Sequence, residues 1–233
     1  MSDVMAAGLA QWEGFPIDRE PRPMVLIHGD PQWKRGVSAR LRESGVLDGP
    51  ALPETVLTPE QLEYARWYCR DVHTGASRPL ARIVDASMPF WTDRGEQRLP
   101  ARIMLPDGRA DAFVALDPEV EQRMTWKAPG MRGPSSGYAS DLAQDGVTLT
   151  YRIGGPIPSV AVYHVRTVLE TATAVCIGVD QEWLAGPDAV YPSVQRVHEL
   201  TVRLPAPLGN RVLIRTWGNL PEPQTEPIAV ILT

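Results

Sequence analysis

The stretch Leu99-Pro100-Ala101-Arg102-Ile103-Met104-Leu105-Pro106-Asp107-Gly108-Arg109-Ala110-Asp111-Ala112-Phe113-Val114-Ala115-Leu116 decides the fold class. Leu99, Ala101, Ile103 and Leu105 recur at every second residue, Pro106-Asp107-Gly108 turns the chain, and Ala110, Ala112, Val114 and Leu116 resume the same period. Side chains alternate across a strand, so a period of two on both sides of a turn predicts an antiparallel hairpin with one wet face. This period sets in at about Leu80. Further strands are expected near 147–153, 159–167, 172–179, 194–204, 211–217 and 228–232, most of them separated by turns carrying Gly or Pro. The pattern is that of an antiparallel sandwich or a partly closed barrel.

Before Leu80 the signals are helical. Thr58-Pro59-Glu60-Gln61 has the capping-box spacing, and Leu62, Ala65, Cys69 and Val72 form one stripe at steps of three and four. An earlier helix is expected from Asp30-Pro31 to Gly45, with Val37 and Leu41 inward, because Asp caps orphan amides and Pro suits the first helical position. The apolar run Met24 to His28 reads as a short buried strand. The expected architecture is α+β, mainly β: an N-terminal arm over 1–20 tied down by Trp12 and Phe15, a strand and two helices over 21–78, and a β-rich body over 79–233.

Composition excludes several classes. With 43% hydrophobic and 22% charged residues, the 233-residue chain can bury a core and is not disordered. A net charge of −5 gives no footprint for nucleic acid, although Arg outnumbers Lys 21 to 2. No apolar run approaches the length of a membrane span and the first residues lack a secretory pattern, so a cytoplasmic protein is expected. Cys69 and Cys176 lie far apart without metal spacing, and Cys69 on the helical stripe reads as a small apolar filler. No cofactor is expected.

Several segments resemble an uncharacterised family of actinobacterial proteins of about this length. They are Phe90-Trp91-Thr92-Asp93-Arg94-Gly95, Arg98-Leu99-Pro100-Ala101, Ala115-Leu116-Asp117-Pro118-Glu119, Asp145-Gly146-Val147-Thr148-Leu149-Thr150, 168–175, and 202–213 with its Pro207-Leu208-Gly209-Asn210-Arg211-Val212-Leu213 ending. The family pattern has Trp after the Leu-Pro-Ala step, where this chain has Arg102. The resemblance implies an architecture and carries no activity.

Four candidate sites remain. Gly133-Pro134-Ser135-Ser136-Gly137 fits the nucleophile-elbow pattern of a serine hydrolase, with Asp188 and His198 in triad order and His28-Gly29 as an oxyanion step. Such an elbow needs a strand entering the serine and a helix leaving it, whereas Ala128-Pro129-Gly130 precedes this one and strands follow. His73-Thr74-Gly75-Ala76-Ser77 echoes the aspartic protease motif with His in place of the carboxylate, which removes its chemistry. His164 and His198, if both point inward from neighbouring strands, are an alternative metal pair with Glu170. The leading expectation is a binding face for a protein or small-molecule partner, made by Trp91, Thr92, Asp93 and Arg94 with Trp126 and Arg132 beside the 128–137 loop, since Trp and Arg most often anchor such faces. On that reading, replacing Asp93 and Arg94 abolishes capture and spares the fold. Trp33, Trp67, Trp183 and Trp217 are assigned to core or rim, and a subunit of a larger assembly is a further reading that predicts an exposed apolar patch.

Overall fold

The computed structural model describes residues 2–26, 32–34, 38–68, 80–107, 111–126, 140–186, 194–217 and 228–229. In chain order the regular elements are α1 (Ser2–Ala10), β1 (Gln32–Lys34), α2 (Ser38–Glu43), α3 (Pro59–Tyr68), β2 (Leu80–Thr92), β3 (Gly95–Pro106), β4 (Ala112–Leu116), α4 (Pro118–Met124), β5 (Asp141–Leu142), β6 (Thr148–Pro156), β7 (Ala161–Glu170), β8 (Ala174–Trp183), β9 (Gln195–Arg203), β10 (Val212–Trp217) and β11 (Ile228–Ala229). Two single 3-10 turns, Val46–Asp48 and Glu54–Val56, lie between α2 and α3. Among the described residues strands take 48% against 19% helix, so the fold is mainly β, as the period of two predicts. Two compact units divide it: Met1–Ile27 with Trp91–Gly95 and Trp126–Thr233, and His28–Phe90 with Glu96–Thr125.

The first unit is a sandwich with a helix on one side. One sheet has the order β11-β10-β8-β7 and the other β5-β6-β9. In β8 the residues Ala174 to Val179 are all buried, because the sheet is covered on both faces. Ala174 and Cys176, with Val212 and Ile214 of β10, pack against Met5 and Leu9 of α1 and against Trp12 and Phe15. Val175, Ile177, Val179 and Leu213 point the other way, onto Leu149, Tyr151 and Ile153 of β6 and Val202 of β9. Strand β6 has only one dry face, and its burial alternates strictly. At Gly178 an added Cβ would stand 3.0 Å from the Met5 sulfur, so the absence of a side chain lets α1 sit close on the sheet.

In the second unit the strand order is β1-β4-β3-β2. The expected hairpin is present, with Ala101 opposite Leu116 and Ile103 opposite Val114. Its wet face is not: all of β4 is buried. Helix α3 packs Ala65, Leu62 and Tyr64 against Phe113, Ala115, Met104 and Ile83, which covers one face of the strand. The capping box forms as the spacing predicts. The Thr58 amide donates to Gln61 Oε1 at 3.1 Å and the Gln61 amide to Thr58 Oγ1 at 3.2 Å. Gln61, itself buried, also donates Nε2 to the Leu116 carbonyl at 3.0 Å, tying the helix start to β4.

Four local expectations are corrected. The helix expected from Asp30 is instead a strand, Gln32–Lys34, followed by α2; Gln32 to Lys34 gain an antiparallel partner in Val114 to Ala112, and Gly36 weakens a continuous helix. Its end at Gly45 holds, with φ 70° and Leu41 buried. The strand expected at Met24 is an isolated bridge, Leu26 to Thr92. The arm over 1–20 begins as helix α1, whose Met5 and Leu9 join Trp12 and Phe15 of the following turn in one buried cluster. One strand pair in the sandwich is parallel, β8 with β10, Val212 opposite Ala174 through Trp217 opposite Val179. Cys69, Val37, His28, His73 and the 128–137 loop lie outside the described residues.

Candidate functional site

The expected binding face is a tight turn between β2 and β3. Gly95 takes φ 88°, a left-handed conformation that favours glycine, and the Thr92 hydroxyl donates to the Gly95 carbonyl at 2.8 Å while accepting the Arg94 amide at 3.1 Å. Thr92 and Asp93 are buried. The Asp93 amide donates to the Val25 carbonyl at 2.9 Å, and the Val25 amide returns a bond to Asp93 Oδ1 at 3.0 Å. A side-chain carboxylate thus takes the place of a ladder carbonyl, which is why the run at Met24 does not continue as a regular strand.

Arg22 completes the cluster. It reaches Asp93 with Nη2 at 2.7 Å and Nη1 at 3.4 Å, donates Nε to the Asn210 carbonyl at 2.7 Å, and stacks over Phe15 at 4.6 Å. Arg94 donates Nη2 to the carbonyls of Gly209 at 2.8 Å and Arg211 at 3.0 Å. Arg211 binds the carbonyls of Ala206, Pro207 and Leu208 and pairs with Glu170 at 3.1 Å. Every carbonyl from Ala206 to Arg211 therefore accepts a guanidinium N–H from Arg22, Arg94 or Arg211. Desolvation holds the Arg94 guanidinium below its usual pKa, with the positive charge of Arg22 adding to the effect and Asp93 opposing it.

At this turn Thr92 and Asp93 are buried, while Arg94 keeps 29% of its side chain exposed. Trp91 and Trp126 pack on the cluster of Met5, Leu9, Trp12 and Phe15; the Trp126 ring lies 5.0 Å from Trp12 and 5.2 Å from Phe15. Arg22 is the member of the cluster that no local sequence pattern marks, because its partners Asp93 and Asn210 lie 71 and 188 residues away.

Arg102 bridges two carboxylates, Asp85 at 2.6 Å and Asp117 at 2.7 Å, and Asp117 caps α4 by accepting the Glu119 amide. The two histidines do not converge. His164 is exposed and lies 3.4 Å from Glu182, since Ala161 and Tyr163 occupy the inward positions of β7. His198 points Nε2 at the Pro156 carbonyl at 2.6 Å and sets its ring edge-on to Tyr163 at 4.7 Å. Glu170 belongs to Arg211. Among the described residues no three potential metal ligands cluster. Ser135, Asp188 and Arg132 lie outside the described residues, so of the hydrolase set only His198 is placed.

Another surface draws attention. Trp183 and Leu184, each 52% exposed, end β8, and Val194 (43%) and Val197 (46%) open β9. They share one end of the sandwich: Trp183 lies opposite Ala161, the Leu184 amide bonds the Val160 carbonyl at 2.8 Å, and Gln195 lies opposite Pro156, just before the turn into β7. Trp183 was expected in the core or its rim; it and Trp67 (58%) are exposed. No protein-family model matches the chain, and neither characterised proteins nor solved structures include a match to it.

Proposed function

We propose that the chain is a cytoplasmic, non-enzymatic interaction protein that works as a subunit of an assembly. The observation that carries this reading is the group of large apolar side chains at the sandwich end, Trp183, Leu184, Val194 and Val197. Scattered apolar residues are ordinary on a surface, but an aromatic and three aliphatics gathered where two strands enter and leave one end are what a protein contact covers. The binding function expected at the Asp93 turn is moved to this end, because the turn's polar groups are already bonded within the chain. The resemblance to the actinobacterial family is retained as a proposal on its segments alone. The test is native mass spectrometry of the protein purified gently from its own cells. A species heavier than the 25.7 kDa chain that loses mass in Trp183→Ser/Leu184→Ser supports the reading. A bare chain in the wild type removes it.

A further inference from the structure

An edge strand offers unpaired backbone donors and acceptors to any other strand, and folded proteins blunt such edges by shortening, bulging or covering them. Four edges are available to the two sheets of the first unit among the described residues: β5 and β9 in one, β11 and β7 in the other. Three are blunted. Strands β5 and β11 are two residues long, and β7 carries a bulge between Val165 and Thr167. Strand β9 is not. It pairs with β6 over nine consecutive residues without a register shift, from Gln195 opposite Pro156 to Arg203 opposite Thr148, and contains neither Pro nor Lys. Among the described residues no strand lies along its other side.

Resting on the reading of the chain as an assembly subunit, we propose that β9 pairs antiparallel with β9 of a second copy, about a twofold axis at Thr201. In a symmetric antiparallel pair the two residue numbers facing each other have a constant sum, so the centre fixes every partner. Centred on Thr201, Glu199 faces Arg203 of the second copy twice, and Leu200 faces Val202. Glu199 already accepts from Arg152 of its own β6 at 2.8 Å, so Arg203 of the second copy joins that pair on the outer face while the inner-face residues are apolar, the two conditions that stabilise cross-strand pairs. Centred on Glu199, two carboxylates meet; centred on Leu200, Glu199 faces Thr201 and Arg203 faces Val197. Only the Thr201 register joins opposite charges. It also continues one three-stranded sheet into a six-stranded one.

Thr201 is exposed, so Thr201→Cys reads the register without disturbing the core. In a Cys69→Ser background, mild oxidation is expected to give a disulfide-linked dimer with Thr201→Cys and little with Val197→Cys, because only residue 201 meets itself across the axis. Arg203→Glu, which sets carboxylate against carboxylate twice, is expected to weaken the dimer measured by sedimentation about tenfold or more. Equal cross-linking at 197 and 201, none at 201, or an Arg203→Glu dimer as tight as wild type overturns the pairing. If native mass spectrometry still finds an assembly in that case, the interaction reading stands and the β9 pairing alone falls. A wild-type chain that stays single overturns both.

Discussion

Replacing Asp93 by Ala removes the acceptor that joins Val25, Arg22 and the β2–β3 turn. The Arg22 guanidinium, 11% exposed, keeps only backbone carbonyls as partners, and the Val25 amide is left without an acceptor in the interior. Breaking one side of a buried ion pair costs about 3–5 kcal/mol, and an orphaned buried amide about 1–3 kcal/mol. The two losses share one carboxylate and are not independent, and Arg22 retains some access to water, so we take about 4 kcal/mol in total. For a chain of this length that lowers Tm by roughly 8–16 °C. The assay is thermal unfolding followed by near-ultraviolet circular dichroism, with hydrogen exchange at the Val25 amide as the local readout. Adding Arg22→Met to Asp93→Ala should recover part of the loss, since an uncompensated charge is then no longer buried. An Asp93→Ala protein that melts within about 2 °C of wild type and keeps Val25 protected refutes the reasoning, and returns the turn to the role of a free binding face.

Three further outcomes are expected. Gln61→Glu keeps the acceptor for the Thr58 amide but loses the donor to the Leu116 carbonyl, so urea unfolding should show a loss of about 1–3 kcal/mol, and an unchanged midpoint contradicts the tie between α3 and β4. Gly155→Ala places a Cβ against the Tyr163 hydroxyl and should cost about 1–3 kcal/mol by overpacking; a neutral effect shows that Tyr163 does not lie over β6 there. Asp145 accepts from the Thr148 hydroxyl at 2.7 Å and from the amides of Thr148 and Val147 at 2.8 and 2.9 Å, which holds its carboxyl below the usual 3.8. A lowered folded value means its stabilisation is present above pH 3.8 and is lost as pH falls through the folded pKa; a carbon-13 carboxyl titration with its midpoint at or above 3.8 contradicts the turn geometry.

What could be read from the chain was what depends on neighbours in sequence. The capping box at Thr58 and the strands over 147–153 and 211–217 are local patterns, and they stand where their periods put them. Long-range choices were not legible. Nothing near Ala174 or Val212 says that their strands run parallel, because that depends on which sheet β9 joins between them. The parity of β7 was misread for the same reason: Val162 is as apolar as Ala161, and only the partner strand decides which of the two turns inward. Of the candidate site, Thr92, Asp93 and Arg94 were rightly marked as a special turn. Their partners within the chain were not legible, since Val25, Arg22 and the carbonyls from Ala206 to Arg211 lie roughly seventy residues before and over a hundred after them. The segments 90–95 and 202–213, far apart in sequence, meet at this cluster.

The mass of the native particle tests the central claim most directly. Native mass spectrometry of the gently isolated protein should find an assembly heavier than one 25.7 kDa chain, which loses mass when Trp183 and Leu184 become Ser. A wild-type protein found only as the single chain contradicts the account.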